Sequence, residues 1–181
     1  MTHSSYHTGG LDETPRIDSH RSAASLSPMI AKVISGGQTG ADRAGLDWAI
    51  DAGVPHGGYC PIGRKAEDGT IPERYALTES TSGNYLQRTE WNTRDADGTV
   101  IFTMGTPLSG GSKRTGDFAM KHGKPWIHIH PDIANAGAVL AAFIDENQIG
   151  TLNAAGSRGS KEPNIAAFVI EVLSAAFPSR A

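Results

Sequence analysis

Cysteine is nearly absent. Cys60 stands alone among 181 residues, and a single thiol cannot close an internal disulfide, so nothing calls for an oxidising compartment and a reduced cytoplasm is the expected home. Coming after Gly57-Gly58-Tyr59 at the end of a strand-like stretch, the thiol reads as a buried structural group rather than a nucleophile. A charge excess is missing too. Sixteen basic and 19 acidic residues leave a formal charge of -3, which gives no footprint for wrapping nucleic acid or docking on an anionic membrane. No apolar run approaches the roughly 20 residues needed to span a bilayer, and the N-terminus has no apolar signal region. His3, His7 and His20 match no metal-site spacing, and no directly ligated metal is expected.

What is present is an alternation of strand and helix patterns. Residues 1–28 are rich in Ser, Thr, His and Gly, carry no apolar period and read as a flexible leader. Residues 29–181 are expected to form a single domain, long enough to bury its own core. Within it, Ile30-Ala31-Lys32-Val33-Ile34 reads as a strand, and residues 40–52 repeat apolar positions at helical spacing. A short strand at Gly58-Tyr59-Cys60 precedes a polar stretch, residues 63–82, read as irregular and therefore functional. Helices are predicted over residues 84–94, 112–122, 134–146 and 164–177, and strands over 98–103, 125–129 and 150–154. Strands separated by helices at this spacing imply right-handed crossovers. The fold expected is α/β: a Rossmann-like, doubly wound, mainly parallel sheet of about five strands with helices on both faces.

Two glycine-rich loops lie between a strand and a helix. The first is Ser35-Gly36-Gly37-Gln38-Thr39-Gly40-Ala41-Asp42-Arg43. Glycines at such a turn let backbone N–H groups approach an anion, and the helix N-terminus adds positive potential. The loop lacks the Lys of a Walker sequence and does not fit G-x-G-x-x-G, so neither an ATPase nor a dinucleotide site follows from it. A tight structural turn is the other reading, and Asp42 is either a helix cap residue or a partner for a ribose hydroxyl or a metal. The second loop runs from Thr103 through Ser109-Gly110-Gly111-Ser112, with Thr115 and Asp117 in the helix that follows. Two loops at the carboxyl ends of parallel strands converge on one sheet edge, where open α/β folds place their ligands.

Further candidates flank these loops. Glu90 and Arg94 are four apart on a predicted helix, either as an exposed ion pair or as a general base beside a phosphate partner. Asn153 and Arg158 follow the last predicted strand, where Arg158, with Lys161, would close over phosphate oxygens or serve as a solvated loop charge.

The chain resembles the circularly permuted YpsA-like branch of the SMF/LOG (SLOG) superfamily, whose members carry the label molybdenum carrier. The resemblance runs from about residue 34 to 177 and rests on Ser35-Gly36-Gly37-Gln38-Thr39-Gly40-Ala41-Asp42, Gly63-Arg64-Lys65-Ala66-Glu67-Asp68-Gly69, Gln87-Arg88-Thr89-Glu90-Trp91-Asn92, Leu108-Ser109-Gly110-Gly111 and Leu152-Asn153-Ala154-Ala155-Gly156. It implies a Rossmann-like fold that binds nucleotides or nucleotide-derived ligands, with the two glycine loops as the pocket. Residues 109–117 are also similar to the P-G-G-x-G-T-x-x-E stretch of cytokinin-activating phosphoribohydrolases, with Asp117 at the acid's position and Lys113 and Arg114 where that pattern has Gly and Thr.

Three functions are therefore open at this point. The first is a binding protein for a nucleotide, a nucleotide-derived metabolite or a molybdopterin-type cofactor held through its phosphate, with Gly36, Gly37, Gln38, Thr39, Gly40, Asp42, Arg43, Arg94, Thr103, Ser109, Gly110, Gly111, Ser112, Thr115, Asn153 and Arg158 as the binding residues. The second is a nucleotide N-glycosidase or phosphoribohydrolase in which Glu90 or Asp117 activates water. The third is a nucleotide sensor acting on a partner protein. Apolar faces on the long helices favour a homo-oligomer.

Overall fold

The computed structural model describes residues 29–178; the expected leader and its three histidines lie outside the described residues. In chain order the elements are β1 (Lys32–Ile34), α1 (Ala41–Asp51), β2 (His56–Gly57), β3 (Tyr59–Cys60), β4 (Lys65–Ala66), β5 (Gly69–Thr70) and β6 (Thr78–Glu79). There follow α2 (Tyr85–Asp95), β7 (Gly98–Phe102), α3 (Gly110–Lys121), β8 (Trp126–Ile129), α4 (Ala136–Glu146), β9 (Thr151–Gly156) and α5 (Ile165–Ala176). Five strands form the central sheet in the order β2-β1-β9-β7-β8, every pair parallel.

Handedness follows from that order. The chain steps outward from β1 to β2, and from β7 to β8 in the opposite direction, so right-handed crossovers put α1 and α3 on opposite faces. From β8 the chain returns through α4 to β9, which places α4 with α1; α5 packs against both. On the other face α2 packs on α3. With helices above and below, β7 is buried at all five positions, as a doubly covered parallel strand must be.

The main core lies between the sheet and the α1-α4-α5 layer. Val33, Val100, Phe102 and Leu152 meet Ala44 and Trp48 of α1, Leu140 and Ile144 of α4, and Val169 and Leu173 of α5. Helix α1 sits close on β9 because Gly45 has no side chain: a Cβ there would lie 2.7 Å from that of Ala154.

One difference from the sequence reading concerns the second strand. The sheet takes His56–Gly57, with Ser35 N donating to Gly57 O at 3.0 Å, and not Gly58-Tyr59-Cys60. Gly58 has φ +120°, and a Cβ on it would meet Ser35 O at 2.2 Å; that backbone breaks the strand, and Tyr59–Cys60 pairs instead with Thr78–Glu79. A second difference is that residues 63–82 are not irregular throughout, since Lys65–Ala66 and Gly69–Thr70 form an antiparallel hairpin.

Arg64 organises this excursion. Its guanidinium donates to the carbonyls of Ile71 (3.1 Å), Leu77 (3.2 Å), Pro72 (2.9 Å) and Tyr75 (3.0 Å). Beneath it Leu46, Cys60, Ile71 and Tyr75 form a small second core, where burial pushes the Cys60 thiol up from its ordinary pKa. Replacing Arg64 by Met strands four carbonyls around one apolar stem. The Arg64→Met variant is expected to lose about 3 kcal/mol of stability, read as a lower midpoint in urea unfolding, with residues 63–80 becoming the first site of limited proteolysis.

Candidate functional site

The carboxyl ends of β1, β7 and β9 open on one cleft of about 100 Å³, several times the ~10–15 Å³ that one water requires. Gly36, Gln38 and Asp42 line it from the β1 loop and the start of α1; Ser109, Gly111, Ser112 and Thr115 from the start of α3; Asn153, Ser157, Arg158 and Lys161 from the end of β9 and its loop; and Arg88, Thr89 and Asn92 from α2. Three cations and one carboxylate thus face a shared space. Lys161 Nζ donates to Ser109 Oγ at 2.9 Å, which holds an ammonium at the positive end of α3. The backbone N–H groups of Gly111 and Ser112 have no acceptor among the described residues, as the first turn of a helix dictates. Each of these features raises the potential where the others already do, and an anion relieves all of them.

The β1 loop is differently arranged. Asp42, buried in the first turn of α1, accepts from Arg88 Nη1 at 2.8 Å and from the N–H of Gln38 at 3.4 Å, with the Gly36 N–H adding to the same carboxylate. Burial drives the Asp42 pKa above its ordinary value against the pull of Arg88 and these hydrogen bonds. Two of the loop's N–H groups, those of Gly36 and Gln38, are therefore turned to a resident carboxylate. Arg88 lies directly over Gly36, where a Cβ would stand 1.6 Å from Nη1.

A carboxylate outside the cleft ties its loops together. Glu67 accepts from Thr39 Oγ1, from Ser160 N at 3.1 Å and from Ser160 Oγ at 2.5 Å, and lies 3.8 Å from Arg158. Gln38 Oε1 accepts from the N–H groups of both Thr39 and Glu67, each at 3.0 Å. Next to it Asp68 pairs with Arg43, Nη2 to Oδ1 at 2.7 Å. The hairpin at residues 65–70 is thus a clamp that joins the β1 loop to the β9 loop. Hydrogen bonds from Ser160 and Thr39 hold the Glu67 pKa below the usual carboxylate value.

A family model described as the circularly permutated YpsA SLOG family matches residues 33–177, which take in the central sheet except Lys32 and all the helices of the described residues. The chain belongs to that family. This SLOG chain is also similar to a solved structure of a "putative molybdenum carrier protein" from Syntrophus aciditrophicus SB, at 43% identity over 83% of this chain and 96% of that one, with a TM-score of 0.80. No curated protein matches it. The shared fold carries the Rossmann-like architecture expected from the strand and helix pattern.

Of the residues singled out in the sequence, this SLOG cleft gathers Gly36, Gln38, Asp42, Ser109, Gly111, Ser112, Thr115, Asn153 and Arg158. The others lie elsewhere. Gly37 packs beside Leu77 and Ile71, Thr39 is taken up by Glu67 and by Gly159 N, and Gly40 is packed against the backbone of residues 157–159. Arg43 binds Asp68 and Gly37 O. Thr103 Oγ1 donates to Gly105 O at 2.6 Å and lies 2.7 Å from His128 Nε2; Gly110 opens α3 at φ +52° without lining the cleft. Glu90 is held by Lys121 Nζ at 2.6 Å and His122 Nε2 at 3.0 Å, contacts that lower its pKa. Arg94 pairs with Asp95, and Asp117 with Lys113 across one helical turn. Neither Glu90 nor Asp117 borders the cleft.

Arg88, Asn92 and Ser157 were missed. Arg88 and Asn92 are also four apart, on the face of α2 nearly opposite that of Glu90 and Arg94, since two residues along a helix turn it by about 200°; the signal is two residues of the same motif at i, i+4. Asn92 spends both polar atoms on Tyr59, accepting from its N–H at 2.8 Å and donating to its carbonyl at 3.0 Å, which fixes α2 and so aims Arg88.

Because the folded pKa of Glu67 lies below that of the unfolded chain, its contribution to stability is complete above the ordinary carboxylate value, about 4.3, and is lost as pH falls through the folded value. Thermal melts from pH 7 to pH 3 are expected to show a shallower acid loss of melting temperature for Glu67→Gln than for the parent, starting from a lower value at pH 7.

Proposed function

We propose that this chain is a cytoplasmic binding protein for a phosphorylated, nucleotide-like metabolite, whose phosphate lies at the N-terminus of α3 among Lys161, Arg158 and Arg88. The observation that carries the reading is Lys161 itself. An exposed ammonium held 2.9 Å from Ser109 Oγ, at the positive end of a helix, has no acidic partner among the described residues, and an anion placed there is attracted by the ammonium and the helix end together. Membership in a superfamily with nucleotide-type ligands supports the same class, and the Syntrophus neighbour is named a molybdenum carrier, to which we add a phosphorylated, molybdenum-bearing cofactor as a candidate cargo. Such a cargo suits this cleft through its phosphate: the lining offers N–H, guanidinium and ammonium donors, and among the described residues no group of three or more His, Cys, Asp or Glu comes together.

A hydrolase using Glu90 or Asp117 draws no support from the geometry. Both carboxylates are bound to basic partners away from the cleft, and the lining carboxylate, Asp42, is paired with Arg88.

The two glycine loops differ in what a side chain would meet. Beside Gly111 the space is open, whereas a Cβ on Gly37 would strike Leu77 at 2.6 Å from a backbone at φ +76°. Calorimetric titration with AMP is expected to show saturable binding by the parent chain. Gly111→Val is expected to abolish it with an unchanged melting temperature, while Gly37→Val lowers the melting temperature by several degrees. AMP binding that survives Gly111→Val at full affinity would exclude a phosphate at α3.

A further inference from the structure

Two residues that line the cleft each carry a buried hydrogen-bonding atom with no partner among the described residues. Ser157 is 3% exposed and lines the cleft, yet its Oγ is buried without a hydrogen bond. Arg88 Nε is buried in the same condition, although Nη1 of the same guanidinium is held by Asp42. An unsatisfied buried donor is costly and native interiors keep few of them. Here two of the described chain's three such atoms belong to residues of one cleft, beside a helix N-terminus whose N–H groups are also free.

Resting on the reading that a phosphate occupies this cleft, we infer that the site selects a terminal phosphomonoester over a bridging phosphodiester, with Ser157 Oγ and Arg88 Nε serving the oxygens that only a monoester leaves free. A monoester presents three acceptor oxygens and a charge near -2, whereas a diester has two free oxygens and a single charge. The donors come from three directions: Gly111 and Ser112 N–H from the start of α3, where Lys161 of the β9 loop joins them, Ser157 from the end of β9, and Arg88 from α2. Three walls of donors match three free oxygens. The lining cations outnumber the lining carboxylate three to one, which favours the dianion. A diester must send two substituents out of the cleft, and the second displaces an oxygen from one donor wall and leaves that wall unpaired.

The test compares four probes on the full chain by calorimetry: ribose 5-phosphate, AMP, 3′,5′-cyclic AMP and adenosine. Ribose 5-phosphate and AMP are expected to bind, cyclic AMP at least about tenfold more weakly, and adenosine not at all. Ser157→Ala is expected to weaken ribose 5-phosphate about tenfold, the loss of one hydrogen bond to a charged group, and to leave cyclic AMP unchanged, so that the gap between the two closes. Ser157→Cys, which keeps the volume of the side chain, separates the lost donor from a packing defect and is expected to weaken ribose 5-phosphate likewise. Cyclic AMP binding as tightly as AMP, or Ser157→Ala weakening both alike, overturns the monoester inference and leaves the phosphate reading standing. Failure of every phosphorylated probe to bind removes the phosphate reading and this inference with it.

Discussion

A buried carboxylate, Asp42, paired with a partly buried guanidinium, Arg88, sets the electrostatics of this molecule's cleft edge. Burial opposes the charge on Asp42, and its contact with Arg88 at 2.8 Å, with N–H groups of the β1 loop, supplies the compensation that a buried charge requires. Removing one partner of such a pair typically costs ~3–5 kcal/mol, because the other is left buried and alone. The neighbourhood accommodates the pair. Residue 36 is glycine where the guanidinium passes, and Asn92 grips Tyr59 on both sides of its peptide so that α2 delivers Arg88 to its place.

With an internal anion facing the β1 loop, the two glycine-rich loops have separate duties. The β1 loop is wired into the structure through Asp42, Gln38, Thr39 and the hairpin clamp at Glu67 and Asp68. The α3 loop keeps free N–H groups and gains a lysine from across the cleft. Similar glycine spacing in the two loops therefore supports different physics, one a closed junction and the other an open receptor. Pre-organisation of this kind lowers the ordering cost of binding.

Most of the fold was legible in the sequence. Apolar periodicity located five helices and four of the five strands of the central sheet, because a doubly covered parallel strand such as β7 is buried throughout and mostly apolar. The break at Gly58 was not legible, since it depends on a positive φ and on the carbonyl of Ser35 beside it. The cleft was legible at its loops and obscure at its helix. Glu90 and Arg94 look like a site from spacing alone, yet the nearly opposite face of the same helix, carrying Arg88, is the one turned to the cleft, and only packing against α3 and Tyr59 decides between faces. Ser157 lay just past a named motif, with no local pattern to mark a hydroxyl left unpartnered by tertiary structure. Arg64 and Glu67 were seen as part of a motif, but their use as a loop organiser and a buckle needs partners up to 93 residues away.

The strand order has a consequence for how this chain comes into being. β9, the last strand made, lies between β1 and β7, and Ser35 Oγ donates to Ala154 O across 119 residues. Until β9 arrives on the growing chain, β2-β1 and β7-β8 are two separate ribbons, each with an open edge of the kind that invites wrong pairing. Closing such distant contacts is slow. The same late segment carries Ser157, Arg158 and Lys161 of the cleft, so a nascent chain has no complete cleft until the sheet is whole, and under the proposed function completion of the fold and competence to bind arrive in one event.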